Sequence, residues 1–186
     1  MKIPFDKPHV TERAIRYIRQ AISSGKLAGN GDFSARCARW LEEKTGCRKA
    51  FLVPSGTAAL EMMTILARIG PGDEVILPSF TFSSTANAVV LRGGVPVFVD
   101  IRPDTLNLDE SLIEEAVTPR TKAIVPVHYA GVGCEMDPIL AVAAKHRLLV
   151  LEDAAQGILA AYRGRPLGSI GSMGAISFHE TTNIQC

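Results

Sequence analysis

The sequence predicts an α/β domain built on a mostly parallel sheet with helices on both faces. Short apolar runs alternate with helical patterns along most of the chain, and this alternation implies right-handed β-α-β crossovers. The apolar runs are continuous rather than alternating with polar residues, as in strands buried on both faces. The chain has 186 residues, 47% of them hydrophobic, which is enough for one domain with its own core.

Two helices come first in the chain. Apolar residues at helical spacing predict one helix over 11–24 and another over 33–45, with a glycine-bearing loop between them. The alternation then begins, and we expect strands over 50–53, 74–77, 95–99, 123–127 and 148–151. The helices that follow the first four of these strands are predicted over 57–69, 83–91, 109–117 and 137–146.

Beyond Asp153 the pattern changes to short strands, predicted over 158–162 and 175–178, joined by glycine-rich turns. The glycines there are Gly164, Gly168, Gly171 and Gly174. Their G-x-x-G-x-x-G order is not the G-x-G-x-x-G of a dinucleotide-binding loop, and no strand–helix unit follows them. We therefore interpret them as turn residues.

Composition excludes several classes of function. Twenty Lys and Arg residues balance 19 Asp and Glu residues, so neither a nucleic-acid surface nor a membrane-binding basic patch is expected. The N-terminal sequence lacks the apolar run of a signal peptide, and no apolar stretch is long enough to span a membrane. The four cysteines and four histidines show no metal-ligand spacing. We expect a cytoplasmic protein without a disulfide framework or a metal site.

The residues after each strand are the first candidates for a site, because ligands of open parallel sheets bind at the carboxyl ends of the strands. Ser55, Gly56 and Thr57 lead directly into a helix, and the free amides at a helix N-terminus attract anions. The alternative is a plain helix cap.

Two further loops carry candidate ligand-binding residues. Phe80 and Phe82 lie in a polar loop, where they could stack on a planar ring or simply belong to the core. Asp153 ends an apolar strand and needs a cationic or N–H partner there, unless it caps the next turn. An anion cradle, an aromatic loop and a strand-end carboxylate together suit pyridoxal 5′-phosphate, with its phosphate and protonated ring nitrogen.

Two motifs in combination identify a family. PSGTAALE and EDAAQG, together with SFHET, resemble the DegT/DnrJ/EryC1/StrS sugar-nucleotide aminotransferases along the whole chain. The resemblance implies the fold-type I, aspartate-aminotransferase-like architecture. It also implies amination of a dTDP-linked 4-keto-6-deoxy sugar for surface-polysaccharide synthesis, with glutamate as amino donor and a homodimer as the intact enzyme.

The same resemblance assigns roles to individual residues. Gly56, Thr57 and Ser177 would hold the cofactor phosphate, and Phe82 would stack on the ring. Asp153 would keep the ring nitrogen protonated. The remaining position is Gln156, which would contact the ring hydroxyl or the ring face.

The sequence departs from the family at the catalytic position. The family has a lysine directly after SFHET, where it forms the Schiff base with pyridoxal phosphate and moves the proton, and this chain has Thr182. A hydroxyl can do neither, so a covalent aldimine is not possible with Thr182. The last lysine of the chain is Lys145, on a predicted helix well before the site.

This departure leaves three functions open. The first is the family transaminase, and the second is a catalytically dead remnant that binds pyridoxal phosphate or a sugar nucleotide. The third is a related dehydratase that has histidine at the lysine position, which Thr182 does not supply. We expect residues 1–24 to form an N-terminal arm and helix and residues 25–186 a large cofactor-binding domain that is truncated, without the family's small C-terminal domain.

Overall fold

The computed structural model describes residues 10–180, Thr182 and Ile184. Its helices are α1 (Glu12–Ser23), α2 (Asp32–Thr45), α3 (Gly56–Leu66), α4 (Ser84–Val90), α5 (Ile113–Ala116) and α6 (Met136–His146). Short 3-10 helices lie at Glu110–Leu112 and Tyr129–Gly131. Among the described residues, no helix combines the length and the apolar composition that crossing a membrane requires.

The strands confirm a mostly parallel sheet. They are β1 (Glu74–Pro78), β2 (Val95–Val99), β3 (Thr121–Ile124), β4 (Leu149–Asp153), β5 (Ala161–Tyr162), β6 (Arg165–Pro166) and β7 (Met173–Ala175). Five of them form one sheet in the order β2-β1-β3-β4-β7, and every neighbouring pair in it is parallel. The short strands β5 and β6 form a separate antiparallel pair.

Helices cover both faces of the sheet, as the sequence predicts. Successive strand residues point to opposite faces, so Val75 and Leu77 of β1 belong to one apolar cluster and Ile76 belongs to the other. The first cluster also contains residues of α3 and α4, and the second contains residues of α5 and α6. The site described below lies on the α3 and α4 side.

The predicted strand over 50–53 is wrong for the described part of the chain. Phe51 and Leu52 are exposed, and no described strand lies beside them. A strand is stabilised by hydrogen bonds to a neighbour, so apolar composition alone does not create one. The predicted strands over 158–162 and 175–178 are displaced, since β5 covers only 161–162 and β7 ends at Ala175.

Two of the glycines after β4 allow close packing rather than binding a nucleotide. An added Cβ on Gly174 would lie 2.1 Å from the carbonyl oxygen of Gly168, and one on Gly171 would lie 2.6 Å from that of Val150. Gly168 has φ of +83°, a conformation that favours glycine. These residues let the chain after the β5–β6 pair return against β4. Gly164 and Gly168 lie in turns and Gly171 in a bend, as interpreted, whereas Gly174 lies within β7.

Candidate active site

The candidate site lies at the carboxyl edge of the sheet. Because β1, β3, β4 and β7 run parallel, the segments that follow them reach the same edge. These segments cover 79–83, 125–132, 154–157 and 176–180. The N-terminus of α3 packs against the last of them.

The start of α3 presents two backbone amides. Ser55 is the N-cap, and its Oγ accepts a hydrogen bond of 3.1 Å from the amide of Ala58. The amides of Gly56 and Thr57 donate to no atom of the described residues. The serine is thus a helix cap, and the cap leaves two N–H groups at the positive end of an 11-residue helix for an anion.

Ser177 lies directly against this helix start. A Cβ added to Gly56 would lie 3.0 Å from the Cβ of Ser177 and 3.2 Å from its Oγ. A side chain at 56 would therefore push Ser177 away by a few tenths of an ångström. β7 carries Ser177 there, because its residue Ala175 pairs with Asp153 of β4. The structure brings together the three residues predicted for a phosphate: Gly56, Thr57 and Ser177.

Asp153 is buried at the end of β4, and only 4% of its surface is exposed. Its Oδ2 accepts a hydrogen bond of 2.7 Å from Thr85 Oγ1, and its Oδ1 accepts one of 3.2 Å from the amide of Ala155. Burial raises the pKa of this carboxyl, and the two hydrogen bonds only partly oppose that effect. Among the described residues no cation forms an ion pair with Asp153, so the site lacks the positive partner that a buried carboxylate requires.

Glu152, next to Asp153, has a structural role that the sequence analysis missed. It faces the opposite side of β4 and is fully buried. The Nε2–H of His128 donates to it at 2.9 Å, because the other ring nitrogen of His128 accepts from the amide of Cys134. Three further donors are the amides of Gly168, Ile170 and Gly171, at 2.6–2.8 Å. His128 therefore does not face the site crevice, and Glu152 fixes the loop that leads into β7.

The aromatic loop is exposed rather than part of the core. Phe82 has 74% of its surface exposed, and Phe80 packs on Tyr129 with 4.6 Å between ring centroids. Gln156 lies on the same rim, where its Oε1 accepts a hydrogen bond of 2.7 Å from the amide of Ala130. The loops after β1, β3 and β4 thus contact one another around the crevice. The core alternative is therefore wrong, and stacking of Phe82 on a ring stays a prediction.

Thr182 acts as a turn residue where it stands. Its hydroxyl lies 2.7 Å from the carbonyl oxygen of His179 and 3.1 Å from that of Ser177. The position predicted for the catalytic lysine is therefore next to Ser177, which is predicted to bind the phosphate. Lys145 offers no replacement, because it lies on α6 across the sheet and its Nζ pairs with Glu114 at 2.8 Å.

Ser84 and Thr85 are two further residues that the sequence analysis missed. Ser84 Oγ lies 2.8 Å from Thr57 Oγ1, and Thr85 bonds Asp153 as described above. The available signal was the run of three hydroxyl residues at the start of α4, Ser83 to Thr85. Such residues are common helix caps, which is why the run alone does not distinguish a site.

The residues present fit the non-covalent determinants of pyridoxal phosphate. Amides and hydroxyls at the start of α3 suit a phosphate, and a buried carboxylate without a described cation suits a protonated ring nitrogen. The covalent determinant is missing, since the described residues at this edge include no lysine. The geometry supports binding of the cofactor but not its attachment.

Comparison with known proteins gives the family. The sequence model of the DegT/DnrJ/EryC1/StrS aminotransferase family matches residues 8–186. The spore coat polysaccharide biosynthesis protein SpsC of Bacillus subtilis is 44% identical over 182 residues, which are 98% of this chain and 46% of that protein. The GDP-perosamine synthase of Caulobacter vibrioides is 43% identical over 87% of this chain and 44% of its own length.

A solved structure agrees with this assignment. Spr1654 from Streptococcus pneumoniae, in its PMP-form, superposes with a TM-score of 0.95 at 33% sequence identity. The match covers all of this chain and 50% of that one. The chain thus spans about half the length of the relatives it matches. By its sequence match and its fold, the chain belongs to the DegT/DnrJ/EryC1/StrS aminotransferase family.

Proposed function

We propose that this chain is the cofactor-binding part of an aminotransferase that uses pyridoxal phosphate and acts on a nucleotide-linked keto-sugar. One observation carries the proposal. The phosphate residues Gly56, Thr57 and Ser177 and the buried carboxylate of Asp153 lie at the same edge of the sheet, on the side of α3 and α4. The PMP-form in which Spr1654 was solved supports a cofactor of this class.

The residues of the chain have distinct roles in this function. Amides of Gly56 and Thr57, with the hydroxyl of Ser177, bind and orient the phosphate. Asp153 keeps a proton on the ring nitrogen, because the burial that raises its own pKa also strengthens its attraction for a cation. Phe82 covers the ring against water. Pyridoxal phosphate, when bound, supplies an electron-withdrawing ring that stabilises negative charge at the substrate carbon.

The substrate we propose is a dTDP-linked 4-keto-6-deoxyhexose, with glutamate as amino donor and the dTDP-linked 4-amino-4,6-dideoxygalactose as product. The motif resemblance supports this choice, and the two curated relatives carry names from polysaccharide and GDP-sugar biosynthesis. Saturation-transfer NMR with dTDP- and GDP-linked sugars tests it. Stronger transfer to the GDP-linked sugar would contradict the choice of nucleotide.

Thr182 favours a second candidate, a protein that binds pyridoxal phosphate without turnover. No amine stands at the position where the family has its lysine, and the threonine hydroxyl contacts backbone carbonyls instead. A hydroxyl cannot take the lysine's part in proton transfer between carbon atoms of the substrate and cofactor. We therefore propose that the chain as it stands holds the cofactor reversibly.

Restoring an amine tests the site directly. The Thr182→Lys variant, incubated with pyridoxal phosphate and reduced with borohydride, should carry a cofactor adduct on residue 182 in peptide mass spectra. The matched control is Thr182→Arg, which adds a cation that forms no Schiff base. The unchanged chain should bind the cofactor in equilibrium dialysis and release it on dilution.

The opposite results are equally clear. A folded Thr182→Lys chain that reacts no faster at residue 182 than at its surface lysines would contradict the proposed site. Circular dichroism of each variant shows whether it is folded.

A further inference from the structure

Two adjacent hydroxyl residues open α4, and each of them holds a different residue of the candidate site. Ser84 Oγ lies 2.8 Å from Thr57 Oγ1, beside the phosphate residues. Thr85 Oγ1 lies 2.7 Å from Asp153 Oδ2, at the opposite end of the site. Both are buried, with 7% and 2% of their surfaces exposed. A single helical turn thus contacts both ends of the predicted cofactor position.

We propose that Ser84 and Thr85 are positioning residues of the cofactor site: Ser84 orients the Thr57 hydroxyl for the phosphate, and Thr85 orients the Asp153 carboxylate for the ring nitrogen. This inference rests on the proposed function. Neither residue is expected to touch the reacting atoms, so each acts through its partner.

The donor and acceptor roles around Thr85 follow from its single hydroxyl proton. Three oxygens lie near its Oγ1: Asp153 Oδ2 at 2.7 Å, Thr81 Oγ1 at 2.8 Å and the carbonyl oxygen of Phe82 at 3.1 Å. The carboxylate is the nearest of the three and the only charged one, so it receives the proton. Thr81 then donates to Thr85, which gives a hydroxyl chain that points at Asp153.

The two contacts on Asp153 fix its carboxylate without neutralising it. Thr85 holds Oδ2, and the amide of Ala155 holds Oδ1 at 3.2 Å. Both donors are uncharged. Among the described residues, His128 is the one titratable group with a resolved effect on Asp153, and it binds Glu152 on the other face of β4. The charge of Asp153 is therefore oriented in advance and remains for a cationic ligand atom.

The packing of α4 makes the spacing of the two contacts rigid. Ala88 and Val89 of α4 are buried in the apolar cluster that also contains Leu60 and Met63 of α3. The hydroxyl of Thr64 in α3 lies between two carbonyl oxygens, that of Glu61 at 2.8 Å and that of Ala88 in α4 at 3.1 Å. The helix that carries Ser84 and Thr85 is thus fixed to the helix that carries Gly56 and Thr57.

Three variants separate the two roles. Thr85→Val removes the donor to Asp153 at nearly constant volume, Thr85→Ser keeps it, and Ser84→Ala removes only the contact to Thr57. The first measurement is the titration of the Asp153 carboxyl carbon by NMR. Asp153 should titrate at higher pH in Thr85→Val than in the unchanged chain, and without change in Thr85→Ser and Ser84→Ala.

The second measurement is binding of pyridoxal phosphate and of inorganic phosphate by equilibrium dialysis. Thr85→Val should bind pyridoxal phosphate about 10-fold more weakly, as expected for the loss of one hydrogen bond to a charged group. Its affinity for inorganic phosphate should not change. Ser84→Ala should weaken both ligands.

The outcomes distinguish this inference from the proposed function. An unchanged Asp153 titration in Thr85→Val would overturn the role of Thr85, and unchanged binding of both ligands by Ser84→Ala would overturn that of Ser84. If the unchanged chain binds no pyridoxal phosphate, the proposed function fails. The Asp153 titration still decides whether Thr85 orients that carboxylate. If Thr85→Val does not fold, the comparison of Thr85→Ser with Thr85→Ala replaces it.

Discussion

Glu152 and Asp153 are neighbours in β4, yet their pKa values shift in opposite directions. Burial raises the pKa of Asp153, which accepts hydrogen bonds from two donors. Burial acts on Glu152 in the same sense, but hydrogen bonds from His128 and from backbone amides outweigh it and lower the pKa of that carboxyl. The number of donors around each carboxylate therefore decides which of them is stable as an anion.

The Asp153→Asn variant tests the cost of this buried charge. Because folding raises the pKa of Asp153, the stabilisation from its proton is complete below the unfolded pKa of about 3.9 and is lost as pH rises through the folded pKa. In urea unfolding without cofactor, the variant should gain free energy of unfolding relative to the unchanged chain as pH rises. The control is Asp100→Asn, at an exposed position, and its free energy of unfolding plotted against pH should be parallel to that of the unchanged chain. Parallel curves for Asp153→Asn would contradict the prediction.

Glu152→Gln should have the opposite pH dependence. The amide keeps one acceptor and loses the charge that four donors share, so we expect a loss of about 2–4 kcal/mol in the free energy of unfolding at pH 7. The lowered pKa means that the contribution of Glu152 is present above its unfolded pKa of about 4.3 and is lost as pH falls through the folded value. The difference measured in urea should therefore shrink in acid. Glu115→Gln, an exposed glutamate, is the control, and an equal effect there would refute the role of Glu152.

At the scale of elements, β7 is the strand that connects the core to the proposed phosphate site. It pairs with β4 over three residues and carries Ser177 to the start of α3. Its position depends on Gly174, where a side chain would meet the backbone of Gly168. Backbone cannot move aside as a flexible side chain can. β7 therefore tolerates no enlargement at this residue.

Gly174→Ala tests this dependence. We expect a loss of about 1–3 kcal/mol in the free energy of unfolding from the forced displacement, together with weaker binding of inorganic phosphate because Ser177 moves with β7. Thermal unfolding and equilibrium dialysis measure the two effects. Gly29→Ala is the matched control, since a Cβ there meets nothing within 4 Å. Unchanged phosphate binding by Gly174→Ala would contradict the link between β7 and the site.

The elements that the sequence predicted well share one property, which is a long regular pattern. α1, α2, α3, α4 and α6 and the strands β1 to β4 all overlap their predicted ranges. The segment 50–53 has a strand composition, but no described strand pairs with it, and pairing is not visible in local sequence. The region after β4 could not be placed from sequence because close backbone contacts at Gly171 and Gly174 determine it.

At the scale of the whole molecule, two apolar clusters lie on opposite faces of the sheet, and strand residues contribute to both. Ile76 and Leu77 of β1 are both fully buried, one in each cluster. Ile76→Ala and Leu77→Ala should each reduce the free energy of unfolding by about 2–5 kcal/mol. Each variant should still unfold in one transition, at a lower urea concentration. Urea unfolding followed by circular dichroism, with hydrogen exchange of both faces, measures this. Ile65→Ala on exposed α3 surface should change little. Separate transitions for the two faces would contradict a single cooperative unit.

The candidate site also contains residues that local sequence does not predict, because their partners are distant along the chain. Gly56, Thr57, Asp153 and Ser177 could be predicted as site residues because each stands in a motif. Ser84, Thr85 and Glu152 could not, since their partners lie 27, 68 and 16 to 24 residues away along the chain. Hydroxyls and carboxylates occur at many surface positions. Only the sheet order shows which of them are buried together.

The opposite orientation of Glu152 and Asp153 has a consequence for inherited changes in the gene. Side chains alternate across a strand, so deleting or inserting one codon within β4 before Glu152 would exchange the faces that the two acids reach. Glu152, which holds the loop before β7, would then point toward α4. Asp153, which now faces Thr85, would point toward His128. A change that keeps every residue of EDAAQG would thus disable both the fold and the site, although a search for the motif would find it intact.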